Sequence, residues 1–179
     1  MSSYSYENYS IDKDIVENLH TSLNEMNIDL KKMENEHSLG IPIKYLSEIY
    51  PSTSFVPIAV SPFYSDEVLN KVSEIVSSDK ESKTLFVLSI DFAHNMGIDE
   101  ALKNNEESIE AIRNFDFNKI LTYNDEHLDS PVATVLFLKI MNNLGFNKWT
   151  TLYSTHGSVF VGEPDLNGTS YVVGVFSEM

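Results

Sequence analysis

Polar and apolar positions follow one another along this chain in two rhythms, a helical one near 3.6 residues and short unbroken apolar runs. The helical rhythm opens with Ile11, Ile15, Leu19, Leu23 and Met26 on one stripe. It predicts a helix from about Ser10, with Ser10 as N-cap and Asp12 and Asp14 in the first turn. A second helix is predicted to start near His37 and to carry Leu39, Ile43, Leu46 and Ile49 as far as Pro51, with Gly40 and Pro42 in its first turns. Residues 65–77 read as a third, with Val68, Leu69, Val72 and Val76 inward, followed by stretches at 98–113 and 117–123. The strongest helical signal is PVATVLFLKIMNNL, 131–144, with Pro near its start and Gly145 just past its end. It is apolar on almost every side, so it should be deeply covered.

The unbroken runs are 55–60, FVPIAV, and 84–90, TLFVLSI. Both are too short for buried helices and rich in branched or aromatic residues, so both predict strands, and Pro57 places the first near an edge or a sheet entrance. A strand–helix–strand order with a nearly unbroken apolar second strand predicts a parallel arrangement. Residues 149–155 and 171–176 predict two closing strands, joined by HGSVFVGEPDLNGT, a long Gly-, Pro- and Asn-containing link of the kind that carries binding loops. The expected fold class is therefore α/β, a mainly parallel or mixed sheet flanked by helices. A poorly ordered polar segment, 1–9, is expected ahead of a single domain over 10–179.

Composition narrows the chemistry. Of 179 residues, 27 are acidic and 12 basic, a formal net charge of -15. Each neutralised phosphate needs a Lys or Arg, so direct nucleic-acid binding is not expected, nor is binding to an anionic membrane. The absence of cysteine excludes disulfides, thiolate nucleophiles and Cys-ligated zinc. No run approaches the ~20 apolar residues of a membrane span, and the first ten residues lack the basic and apolar regions of a secretory signal. The expected location is the cytoplasm, with the nucleus as the other soluble compartment. No Gly-rich phosphate loop, G-x-S-x-G elbow or H-E-x-x-H is present, which disfavours nucleotide enzymes and serine hydrolases.

Histidines and their neighbours are the remaining candidates. Asp91 and His94 follow the 84–90 run, where an α/β sheet keeps its ligands, and could bind a metal, serve as an acid/base pair, or simply cap the turn. His37 stands just before a helix, where a capping segment is the simpler reading. His127, within DEHLD, reads by itself as part of a solvated acidic loop. His156 ends the penultimate strand and could point into the crevice beside Asp91 and His94. His20 lies within the first helix and reads as structural or exposed.

These segments, taken in order, resemble the Memo family, whose fold is related to the class III extradiol dioxygenases (the LigB-like group). EHSLGIPIKYL at 36–46 resembles the family's EHS-containing helix, with Gly40 where Glu is common. FVPIAV resembles its VPIxVG strand, with Ser61 in place of Gly, and LSIDFAH at 88–94 resembles its SSDFSH motif. YSTHG at 153–157 is similar to its YxTSG segment, with His156 at the Ser position, and YVVGVF at 171–176 resembles the closing strand. The resemblance covers the C-terminal part of a Memo protein; the N-terminal strands and two metal-site histidines have no counterpart here.

The resemblance implies a metal-dependent, dioxygenase-like ancestry with a site retained on one wall only. It places Asp91 and His94 beside the metal and His127 at the position of a third ligand, a Cys in the family. The expectation is a reduced Memo-like protein acting mainly as a protein-binding or assembly module, with no tightly bound cofactor. Its partner, a second protein or a second copy, would cover the side of the missing strands and the second face of the 131–144 helix. The alternative is a redox or dioxygenase-like enzyme holding copper, iron or zinc through His94, His127 and His156, with His37, Asp91 and His94 as catalytic groups.

Overall fold

The computed structural model describes residues 5–6, 9–23, 36–63, 65–78 and 83–178. Its element order is β1 (Ser5–Tyr6), β2 (Tyr9–Ser10), α1 (Lys13–Ser22), α2 (His37–Ile49), α3 (Asp66–Val76), α4 (Ile98–Arg113), α5 (Phe117–Ile120), α6 (Pro131–Leu144), β3 (Lys148–His156), α7 (Gly157–Val161) and β4 (Ser170–Ser177). The chain thus mixes helix and strand, as expected.

The helix starts follow capping chemistry. Asp12 rather than Ser10 caps α1, its carboxylate accepting the Ile15 N–H at 3.1 Å. Ser10 is engaged elsewhere: its carbonyl accepts from Phe55 N–H, and Asp12 N–H donates to Phe55 O, a parallel bridge that draws the first segment onto 55. β1 and β2 pair antiparallel just before it, within the segment expected to be poorly ordered. Glu36 caps α2 through Ser38, and Ser65 caps α3 through Val68 N–H. Met26, assigned to the first stripe, lies outside the described residues.

α6 is covered by this chain itself. It packs on α3 and touches α5, and Val132, Val135, Leu136, Leu138, Ile140 and Met141 are all buried. Of its fourteen residues only Asn142 is exposed. Gly145 ends the helix at φ 80°, in the left-handed region that favours glycine.

The sheet differs most from expectation. Among the described residues the substantial ladder is one antiparallel pair, β3 with β4, in register from Lys148↔Ser177 to His156↔Ser170 with a bulge at Leu152. The runs 55–60 and 84–90 form no strand ladder, with each other or with β3 and β4. Their side chains still sort by face: Val56, Ile58, Val60, Phe86 and Ile90 pack against the core shared by α1, α3, α4 and α6, while Leu85 and Val87 are exposed. Hydrophobic sorting requires only a core to pack against, whereas a ladder also requires a neighbour at the right distance. The parallel sheet is therefore not among the described elements.

β3 and β4 lie on α4. Their inner face is aromatic: Trp149, Phe137 and Phe115 each stand against Phe176, with ring centroids 5.1, 6.1 and 5.3 Å away. Trp149 Nε1 donates to Thr151 Oγ1, and the indole lies across Gly174, where an added Cβ would collide with it.

Candidate functional site: an acidic cluster beside His94

Residues 91–96 leave the core between two tethers. On one side Asp129 N–H donates to Asp91 O, the Asp129 carboxylate accepts the Asp91 N–H at 3.1 Å, and His94 N–H donates to Asp125 O. On the other side Ser170 N–H donates to Ala93 O, and Gly168 N–H to Met96 O. Asn95, at φ 62°, turns the chain between them, a conformation Asn tolerates better than most residues. Phe92, Ala93 and Met96 are consequently buried while Asp91 and His94 stay at the surface.

Around them gather carboxylates that the sequence presented as an acidic loop. His94 Nε2 lies 3.5 Å from Asp125 Oδ2. Asp129 sits beside Asp91, Asp125 and His94, and partial desolvation holds its carboxyl above the usual range, the Asp91 N–H opposing that shift. The neighbouring charges of Asp91 and Asp125 also push it up, and His94 pulls it down. The arrangement sets an imidazole among three carboxylates, side chains of the kinds that carry acid/base chemistry. Asp125 and Asp129 join this candidate cluster, although the sequence by itself left them in a solvated acidic loop; their spacing of two on either side of His127 was the available signal.

The other candidates are placed elsewhere. His127 stacks on Tyr123 with centroids 4.4 Å apart and lies 3.5 Å from Glu107. Burial raises the Tyr123 hydroxyl's pKa, and that hydroxyl donates to Glu107 O. His37 is exposed at the start of α2, and no contact joins it to Asp91 or His94. His156 is fully buried instead of facing the crevice. It caps α7, Nδ1 accepting the Ser158 N–H at 3.3 Å and lying 2.8 Å from Ser158 Oγ. The other ring nitrogen, Nε2, is buried and has no hydrogen-bond partner among the described residues. That edge of the ring faces Gly168, where an added Cβ would come within 3.2 Å of it.

His94, His127 and His156 therefore do not converge, and no three His, Asp or Glu side chains among the described residues form a metal-holding group. No described helix is long and apolar enough to cross a membrane.

Neither the curated proteins nor the solved structures contain a match to this chain. A family model described as Memo-like protein matches residues 6–172, from the first β-bridge through the DFAH turn and its acidic cluster to the closing strand. On that span, which is nearly the whole chain, the protein belongs to the Memo-like family.

Proposed function

We propose that this member of the family works as a protein-binding or assembly module. The observation that supports the reading is the outer face of the β3–β4 hairpin. An antiparallel hairpin with one face on the core ordinarily turns polar residues outward. Here β4 is apolar on both faces: Val172 and Phe176 go inward, while Tyr171, Val173 and Val175 are about half exposed. Tyr153 lies opposite Val173, and Phe160 of α7 stands 6.2 Å from the Tyr171 ring, so these side chains form one patch rather than scattered exceptions. Glu163 and Asp165 lie in the link between α7 and β4, which favours a partner whose apolar face is rimmed by Lys or Arg.

The test is affinity capture from cell extract with quantitative mass spectrometry, comparing the native chain with Val173→Glu. The expected result is a specific, stoichiometric partner lost by the variant, whose circular dichroism stays unchanged. Equal capture by both chains would remove this face from the reading.

The second reading, a metal-dependent redox or dioxygenase-like enzyme, draws on His94 beside Asp91, Asp125 and Asp129. Copper, iron and zinc titrations followed by calorimetry test it: sub-micromolar, one-to-one binding lost in His94→Ala supports the enzyme.

A further inference from the structure

Residues 85–90, LFVLSI, present backbone that no described residue pairs. Among the described residues, no N–H or C=O of these six forms a backbone hydrogen bond, and the same holds for 56–60. The contrast with position 91 is abrupt, since from Asp91 to Met96 the chain is bonded to residues 125–129 and 168–170. Yet the side chains of 85–90 already sort as in a strand, with Phe86 and Ile90 on the core and Leu85 and Val87 outward at 66% and 51% exposure. Such a run carries the side-chain half of strand formation and lacks the backbone half.

The two unpaired runs differ in how they are guarded. Natural sheet edges avoid unwanted pairing through proline, charge or a bulge. The 55–60 run carries Pro57; the 85–90 run has no proline, no glycine and no charge. We propose that 85–90 is a strand-acceptor edge, which takes an extended segment from a different polypeptide, apolar at alternate positions and bearing Lys or Arg between them. The backbone groups select the extended conformation, and six residues present an edge of roughly 20 Å. Charge selects the partner: a second copy brings another -15 to a chain already at -15, whereas a basic segment is drawn in. This surface is distinct from the outer hairpin face and goes beyond the reading above by naming the partner's backbone conformation.

Amide hydrogen exchange on the full-length chain, with peptide probes, tests it. In the free protein at low concentration, amides of 85–90 exchange close to the rate of unstructured chain, while those of Gly168 and Ser170 are protected. The probe is an acetylated peptide of about ten residues alternating Val and Lys, long enough to pair along the whole edge. Its control is the same peptide N-methylated at alternate backbone amides, with identical charge and side chains. The native probe slows exchange at 85–90, and N-methylation weakens its binding on the order of tenfold or more, the loss of about 1.4 kcal/mol or more of backbone pairing. Protection of 85–90 in the free chain overturns the proposal. So does equal affinity of the two peptides, which would show charge attraction alone, or no binding by either. Protection that rises with protein concentration in the absence of peptide assigns the edge to a second copy and overturns the heterologous partner. Val173→Glu leaves every one of these readouts unchanged, so failure here is separable from failure of the hairpin face.

Discussion

Residues 85–90 and 91–96 are neighbours on one chain and opposites in how they are held. The first six are the more apolar and the more strand-like in composition, yet among the described residues they make no backbone hydrogen bond to another segment. The second six, DFAHNM, look like a turn and are tied on both sides, with Ala93 fully buried between Ser170 and the core. Side-chain burial and backbone pairing are separate conditions, and a sequence run can meet one without the other. In 91–96 the pairing is local and specific, and it fixes the orientation of Asp91 and His94. In 85–90 the apolar side chains alone set the position.

The largest expected effect comes from breaking the tied segment where Phe92 bridges Leu128. Leu128 is fully buried, and Leu128→Ala should cost about 2–5 kcal/mol in urea unfolding through the cavity it leaves. A smaller loss should follow Ser170→Ala. Ser170 Oγ lies 2.7 Å from the buried Asn105 Oδ1 and 3.0 Å from Ala93 O; Ala93 O keeps the Ser170 N–H, so the variant strands the Asn105 oxygen at a cost of about 1–3 kcal/mol. Crystals of that variant should show Asn105 rotated or a water in the hydroxyl's place.

Most helices were legible to within a few residues, and the reason is local; α7, inside the expected 156–169 link, was not. The Pro131 start and Gly145 stop, and the Ile98–Arg113 boundaries, depend on capping and periodicity within a few neighbours. The expected parallel strands are not confirmed among the described residues, because a ladder depends on what lies alongside, which 85–90 cannot specify. The site was half legible for the same reason. Asp91 and His94 were readable from their place after an apolar run, whereas Asp125 and Asp129 enter only because Phe92 bridges Leu128 across a gap of 36 residues. His156 misled in the other direction: its strand-end position suggested a ligand, but the following Gly157-Ser158 starts a helix that consumes Nδ1 as its cap.

A gentler probe of the tied side is pH. The folded protein holds the Asp129 carboxyl above its ordinary value near 3.8, so it binds that proton more tightly than the unfolded chain does. The resulting stabilisation is present below the unfolded value and is lost as pH rises through the folded one. Asp129→Asn should remove this slope just above pH 4 in a series of unfolding curves, while keeping an oxygen to accept the Asp91 N–H. An unchanged slope in the variant would assign it to another group.

The smallest effect should come from the untied side. Val87 is half exposed, and Val87→Thr should shift stability by no more than about 0.5 kcal/mol, an order below the Leu128 change. A loss of more than about 2 kcal/mol would mean that 85–90 is held far more firmly than its open backbone implies.

The sole tryptophan happens to sit where such changes can be watched. Trp149 lies across Gly174 and against Phe176, with its indole N–H held by Thr151, at the seam between hairpin and core. Detachment of the hairpin would hydrate that indole and move its emission to the red, whereas a partner settling on the outer face leaves the seam closed and the colour unchanged. The chain thus carries its own optical gauge, one that distinguishes a ligand arriving from a structure coming apart.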